Sequence, residues 1–152
     1  MVDFGNLEAL EVKDGATAVL TLEEINGDNP PTLTLAPAGQ SNKAYNREAL
    51  RRNRQFDALI AGRKLSPKLI EEIREADTVL YAKHVVKGWK NVVDNEGKAV
   101  PFNEENATAF FQALPRRFFD MIRGFCQDAE NFVDMPDLAA MSTNFKRGSS
   151  GN

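Results

Sequence analysis

The stretch that decides the fold is residues 17–35, which read TAVLTLEEINGDNPPTLTL. Its first part, residues 17–22, alternates and is rich in β-forming side chains. Its last part places Leu33 and Leu35 on one face and the threonines on the other. Between them, NGDNPP at residues 26–31 is a dense turn signal. The pattern predicts two short strands joined as a β-hairpin, with a connection looser than a two-residue turn.

The chain after residue 42 has the spacing that is typical of α-helices. One helix is expected between residues 43 and 61, with Gly62 as its stop. A second begins at Ser66-Pro67, because serine is a preferred N-cap and proline is tolerated at the first helical position. The apolar stripes of the two helices are Tyr45, Ala49, Phe56, Leu59 and Ile60, then Leu69, Ile70, Ile73, Ala76, Leu80 and His84.

The C-terminal half continues with further helices after an ambiguous connection. Residues 85–102 contain the turn DNEG and are either a small hairpin or an irregular excursion between helices. Asn103 is placed to cap the next helix, and Pro115 breaks or restarts it. Helical spacing of apolar side chains then continues as far as Phe132.

Together these segments predict an α+β fold, with an N-terminal β-hairpin region followed by a mostly α part of four to five helices. The 152 residues suit one domain, which we expect over residues 1–136, with a flexible C-terminal tail over residues 137–152. Residues 1–10 lack the features of a signal peptide, and no apolar run approaches the roughly 20 residues of a membrane span. We therefore expect a cytoplasmic protein that does not use a membrane.

Composition excludes several classes of function. The net charge of -3 argues against a protein whose main activity is to coat nucleic acid. One cysteine, Cys126, excludes an internal disulfide framework, and one histidine, His84, excludes the two-histidine motifs of metalloproteases. We interpret Cys126 as a core residue and His84 as a partly buried structural residue. We expect no metal, no cofactor and no enzymatic activity, since no nucleophile, base and orienting group occur together.

Two features indicate surfaces for a partner. Arg47, Arg51 and Arg54 are spaced i, i+4, i+7, so that this helix face either binds phosphate or an acidic partner, or is an ordinary solvated face. Six of the ten phenylalanines lie between residues 110 and 132. Most are expected in the core, and those that face outward would suit a protein partner. The candidate partner-binding residues are Trp89, Phe110, Phe118, Arg47, Arg51 and Arg54.

Several short motifs resemble a pattern found in small proteins of tailed bacteriophages. In chain order they are PAGQSNKAY (37–45), YAKHVVKGW (81–89), VVD (92–94), Gly97, VPF (100–102), ALP (113–115), FFD (118–120) and NF (131–132). The pattern extends over residues 30–133 and is similar to that of the tail assembly chaperones of long-tailed phages.

The resemblance implies a non-enzymatic role in tail morphogenesis. Such chaperones bind the tape-measure protein, keep its long apolar helices in solution and help tail-tube subunits to polymerise around it. The expected partners are therefore the tape-measure and tail-tube proteins or other virion subunits, with a homo-oligomer left open. An acidic, helix-rich domain with surplus aromatic residues is compatible with this role.

Two other functions stay open at this point. One is a structural virion subunit, in the connector, the tail or the capsid, whose terminal residues 1–10 and 137–152 order against neighbouring subunits. The other, less expected, is a nucleic-acid-binding regulator that uses Arg47, Arg51 and Arg54. The expected location is the host bacterial cytoplasm, or the virion under the first alternative.

Overall fold

A short strand pair, two long helices, a third strand and two further helices follow one another along the chain. A computed structural model describes residues 11–25, 27–61 and 66–133. The elements in chain order are β1 (Ala18–Thr21), β2 (Thr32–Leu35), α1 (Lys43–Ile60), α2 (Pro67–His84), β3 (Val86–Lys90), α3 (Glu104–Ala113), α4 (Arg116–Gln127) and a short 3-10 helix (Ala129–Phe132). The predicted α+β class, with a β-hairpin ahead of the helices, is confirmed.

The strands form an antiparallel sheet in the order β1-β2-β3. Leu33 in β2 pairs with Leu20 on one side and with Trp89 on the other, so β2 is the central strand. Leu33 and Leu35 are fully buried, whereas Thr32 and Thr34, which alternate with them, are half-buried. The alternation along β2 therefore separates a core face from a more exposed face, as its sequence predicts.

Residues 85–102 combine the two structures between which the sequence left a choice. β3 joins the sheet, and the chain then leaves it for a small turn closed by a bridge between Val93 and Ala99. The Asp94 carboxylate accepts hydrogen bonds from the backbone N–H groups of Glu96 and Lys98, at 2.8 and 2.9 Å. This segment is therefore a sheet strand followed by a small irregular hairpin.

Helix ends fall where the sequence places them. The Ser66 hydroxyl accepts from the Leu69 N–H at 3.1 Å and the Asn103 side chain accepts from the Asn106 N–H at 2.7 Å, so both are N-caps. Pro115 separates α3 from α4, because proline cannot continue the hydrogen-bond pattern of a helix. α1 ends at Ile60, and the predicted stop at Gly62 lies outside the described residues.

The core lies where β2, the second half of α2, α3 and α4 meet. Its buried side chains include Leu22, Leu33, Leu35, Tyr81, Val85, Val86, Ala107, Phe111, Phe119, Ile122 and Cys126. Rings connect these elements, since Tyr81 lies 5.4 Å from Phe119 and Phe119 lies 5.6 Å from Phe111, measured between centroids. Edge and tilted ring contacts at this distance add to the burial of apolar area.

Some expectations concern parts of the chain that the structure does not cover. The flexible tail over residues 137–152, the terminal arms and the boundary at residue 136 lie outside the described residues. Among the described helices, none is long and apolar enough to cross a membrane.

Candidate protein-binding surface

Helices α1 and α2 form an antiparallel pair, here called the helical hairpin. Glu48 near the start of α1 contacts His84 at the end of α2, and the Arg52 guanidinium donates to the Ala76 carbonyl further along. Each helix has 18 residues, yet α1 has no buried residue among them. The buried residues of α2 all lie in its second half, between residues 78 and 82. Among the residues that the structure describes, few therefore pack against the half of the hairpin farther from the sheet.

Apolar side chains concentrate in that distal half. Leu59 is 53% exposed and Ile70 is 41% exposed. The contacts of Glu48 and Arg52 set an antiparallel register that brings the end of α1 level with the start of α2. We use the name apolar tip for the exposed Leu59 and Ile70 together with the half-buried side chains around them, which are Phe56, Ile60, Leu69 and Ile73. Exposed aliphatic residues clustered at one end of a helix pair are typical of a binding surface.

A groove of about 300 Å³ runs from the apolar tip toward α4. The groove is lined by the apolar side chains of Phe56, Ile73 and Leu80. The charged side chains of Asp77 and Arg123 line it as well. An Arg123 guanidinium nitrogen lies 3.6 Å from an Asp77 carboxylate oxygen. Burial raises the pKa of Asp77, and Arg123 and then Arg52 act in the opposite direction. The groove is therefore apolar at the tip and charged at its inner end.

The Glu48 carboxylate holds the other end of the hairpin together. The His84 imidazole is hydrogen-bonded to it, and the Lys83 ammonium lies 3.8 Å away. The hydrogen bond from His84 lowers the pKa of Glu48, with further lowering by the charges around it. The Asn42 side-chain amide donates to the His84 carbonyl at 2.9 Å, which fixes the helix end from the other side. His84 is partly buried at the end of α2, as predicted, and its structural role stays a prediction.

The predicted arginines lie on the outer face of α1, away from the groove. Arg47 and Arg54 are exposed, and the Arg51 side chain is 69% exposed. An Arg51 guanidinium nitrogen lies 3.8 Å from the Glu48 carboxylate, so one of the three has an acidic neighbour. Partner binding by this face stays a prediction.

The predicted aromatic residues lie on other elements, namely β3, α3 and α4. Trp89 and Phe110 are half-buried with centroids 5.4 Å apart, and the Trp89 Nε1–H donates to the Val100 carbonyl at 2.9 Å. Phe118 is only 7% exposed, and the Arg117 guanidinium lies 4.3 Å from its ring centroid. These rings therefore pack mainly within the protein, and their contact with a partner stays a prediction. The six predicted residues do not form one surface.

The apolar tip was missed at the sequence level. Leu59 and Ile70 fall on predicted helical stripes, but a 3.6-residue period marks a face without saying whether anything covers it. The sequence did carry one signal of exposure, which is the position of the two residues along the chain. Both lie beside the connection between α1 and α2, far from the sheet.

Cys126 lies in the core, as predicted. Its side chain is buried, and burial raises the pKa of the thiol to about 12. Its backbone carbonyl accepts from the Ala38 N–H at 2.9 Å, which ties α4 to the segment after β2.

The comparison with known families decides the broad identity. A family model described as YdaY prophage protein matches residues 40–140. The chain belongs to this family. The YdaY match includes the whole helical hairpin, β3, α3 and α4, and it confirms the predicted phage origin. No curated protein and no solved structure matches the chain.

Proposed function

We propose that this prophage protein is a tail assembly chaperone, which binds apolar helices of the tape-measure protein and assists the assembly of tail-tube subunits around it. The observation that carries the proposal is the apolar tip at the end of a helical hairpin whose first helix has no buried residue. A helix pair that leaves aliphatic side chains uncovered offers a groove for a third amphipathic helix.

The energetics favour an apolar helix as the occupant. Complete burial of a fully exposed aliphatic side chain contributes about 1.5–3 kcal/mol. Leu59 and Ile70 are 53% and 41% exposed, so burial of their remaining exposed area contributes roughly 1.5–3 kcal/mol for the two together. The entropy cost of association consumes part of this gain.

The sequence resemblance supports the same function. The motifs shared with tail assembly chaperones lie between residues 30 and 133, which overlaps most of the YdaY match. Among these motifs, YAKHVVKGW at 81–89 runs from the end of α2 into β3. Its His84 and Trp89 both anchor local structure through side-chain hydrogen bonds. The motif therefore contributes one side-chain contact that joins α2 to α1 and one that joins β3 to the segment after it.

Co-expression tests the proposal. The chain is produced with the tape-measure protein of the same prophage, and separately with its tail-tube protein, and the soluble fraction of each partner is measured. We expect the tape-measure protein to become soluble and to co-purify with the chain. Absence of association with both proteins would contradict the proposal.

Quantitative mass spectrometry of purified particles provides a second test. A chaperone leaves the assembling tail, so we expect the chain to be plentiful in the lysate and scarce in particles. Many copies per particle would instead assign it to a structural virion subunit.

A further inference from the structure

The outer face of α1 is basic around an exposed leucine. Lys43, Arg47, Arg51 and Arg54 are all exposed and recur every three or four residues, so they share one side of the helix. Leu50 lies among them and is 50% exposed. Arg47 and Arg54 form no ion pair within the described residues. Arg51 has Glu48 as a neighbour and Asp57 lies on the same side of the helix, so the face keeps a net positive charge around an exposed apolar side chain.

One face in the first half of α2 is mainly acidic. Glu71, Glu72 and Glu75 are exposed there beside a single lysine, Lys68, and none of the three glutamates forms an ion pair in the part of the chain that the structure describes. Glu71 and Glu75 are four residues apart, a spacing at which like charges repel and destabilise a helix. An opposite charge placed against this face from outside would relieve that repulsion.

Both faces point away from the groove. On α1, Arg52 and Phe56 line the groove, and Arg54 lies two residues from each of them, which is a rotation of about 200° around the helix. On α2, Ile73 and Asp77 line the same groove, and Glu75 lies two residues from each of them. One copy therefore presents a mainly basic face on α1 and a mainly acidic face on the first half of α2.

We propose that copies of this chain associate head to tail, with the basic outer face of α1 in one copy packed against the acidic outer face of α2 in the next. Two different faces that meet in this way make a heterologous contact, which generates a ring or an open chain of subunits. The contact buries Leu50 and pairs arginines with glutamates. It uses neither the apolar tip nor the groove, so it is independent of the binding of tape-measure protein.

A charge-swap series tests this contact by sedimentation velocity at low and high ionic strength. The first variant carries Arg47→Glu, Arg51→Glu and Arg54→Glu. The second carries Glu71→Lys, Glu72→Lys and Glu75→Lys. A matched control reverses three exposed lysines elsewhere, Lys87→Glu, Lys90→Glu and Lys98→Glu, with the same change of net charge as the first variant. Circular dichroism and thermal melting establish that each variant is folded.

The proposal predicts a specific pattern of results. The wild type associates at low salt, and the average mass falls as salt screens the charges, since the Debye length shrinks to about 10 Å near 0.1 M. Each variant weakens association by about tenfold or more, as several interfacial charges become repulsive. A mixture of the two variants associates again, and so does one chain that carries both sets of substitutions, while the control behaves as wild type.

Three outcomes would overturn the proposal. One is a wild type that stays monomeric at all concentrations at low salt. Another is association that neither variant weakens. The third is a mixture of folded variants that fails to associate, because restored complementarity is what distinguishes this contact from a general effect of charge.

Discussion

The imidazole of His84, the last residue of α2, is hydrogen-bonded to the carboxylate of Glu48 in the second turn of α1. The two residues are 36 positions apart in the chain, and their side chains are 17% and 15% exposed. The contact fixes the sheet-proximal end of the helical hairpin, and Arg52 donates to the Ala76 carbonyl between that end and the apolar tip. The proposed function depends on this arrangement, in which the helical hairpin is attached at one end and exposes apolar side chains at the other.

Replacement of Glu48 by glutamine should lower the free energy of unfolding by about 1–2 kcal/mol at neutral pH, because charged hydrogen bonds contribute this much when partly shielded from water. Chemical denaturation measures the loss. Glu96→Gln is the control, since the Glu96 side chain is 75% exposed in a surface pair with Lys98. A Glu48 variant as stable as wild type would show that the contact does not hold the hairpin.

The Glu48 contribution should also depend on pH. The hydrogen bond from His84 holds the pKa of Glu48 below its ordinary value of 4.5. A carboxylate whose pKa is lowered by folding stabilises the protein fully above the unfolded-state pKa, and the stabilisation is lost as the pH falls through the folded-state pKa. The difference between wild type and Glu48→Gln should therefore shrink in denaturation curves recorded below pH 4.5. A difference that grows toward acid pH would contradict the assignment.

Replacement of Trp89 by phenylalanine should loosen the segment after β3. The substitution removes the hydrogen bond from Nε1 to the Val100 carbonyl while it keeps an aromatic ring beside Phe110. A lost hydrogen bond of about 1 kcal/mol corresponds to roughly fivefold faster hydrogen exchange if opening is local. We expect this faster exchange at the Asp94 and Val100 amides, and we expect exchange rates in β1 and β2 to stay unchanged. Equal exchange in both proteins would show that Trp89 does not anchor this segment.

Replacement of Phe119 by alanine should cost about 3–5 kcal/mol of stability, because the ring packs between Tyr81 and Phe111 and its removal leaves a cavity. Met121→Ala on the same helix is the matched control, since Met121 is 44% exposed and its loss should cost under about 1 kcal/mol. Equal melting temperatures for the two variants would place the Phe119 ring outside the core.

The Cys126 thiol should be inert in the folded protein. With a pKa raised to about 12, only about one molecule in 10⁵ carries the reactive thiolate at pH 7. We expect a thiol-specific chromogenic reagent to label one thiol per chain in denaturant. Without denaturant, the rate of labelling should be less than about a hundredth of the rate in denaturant. Rapid reaction of the folded protein would contradict the core position of Cys126.

Much of the fold could be predicted from local sequence, because local chemistry decides it. Ser66-Pro67 and Asn103 begin helices through their own side chains, Pro115 ends one, and the alternation around Leu33 gives a strand. The pairing of β3 with β2 was not predicted. The β3 sequence, VKGWK, has a glycine and two lysines in five residues. Its pairing register with Leu33 depends on the position at which α2 ends and β3 begins.

The candidate site depends on contacts that local patterns do not encode. Glu48 meets His84 only because two 18-residue helices fold back on each other. The exposure of Leu59 and Ile70 depends on how far the sheet and α4 extend along the hairpin. The arginine face, by contrast, followed directly from helical spacing, and its exposure agrees with that spacing.

The most direct test of the account is whether the apolar tip binds the tape-measure protein. The tip variant Leu59→Ser/Ile70→Ser is compared with a control, Val93→Ser/Met121→Ser, which removes two exposed apolar side chains of similar size elsewhere. Co-purification of tape-measure protein is quantified after both variants are shown to be folded. The account predicts retention with the control and a loss of about tenfold or more with the tip variant. Equal recovery of tape-measure protein with the two variants would contradict it.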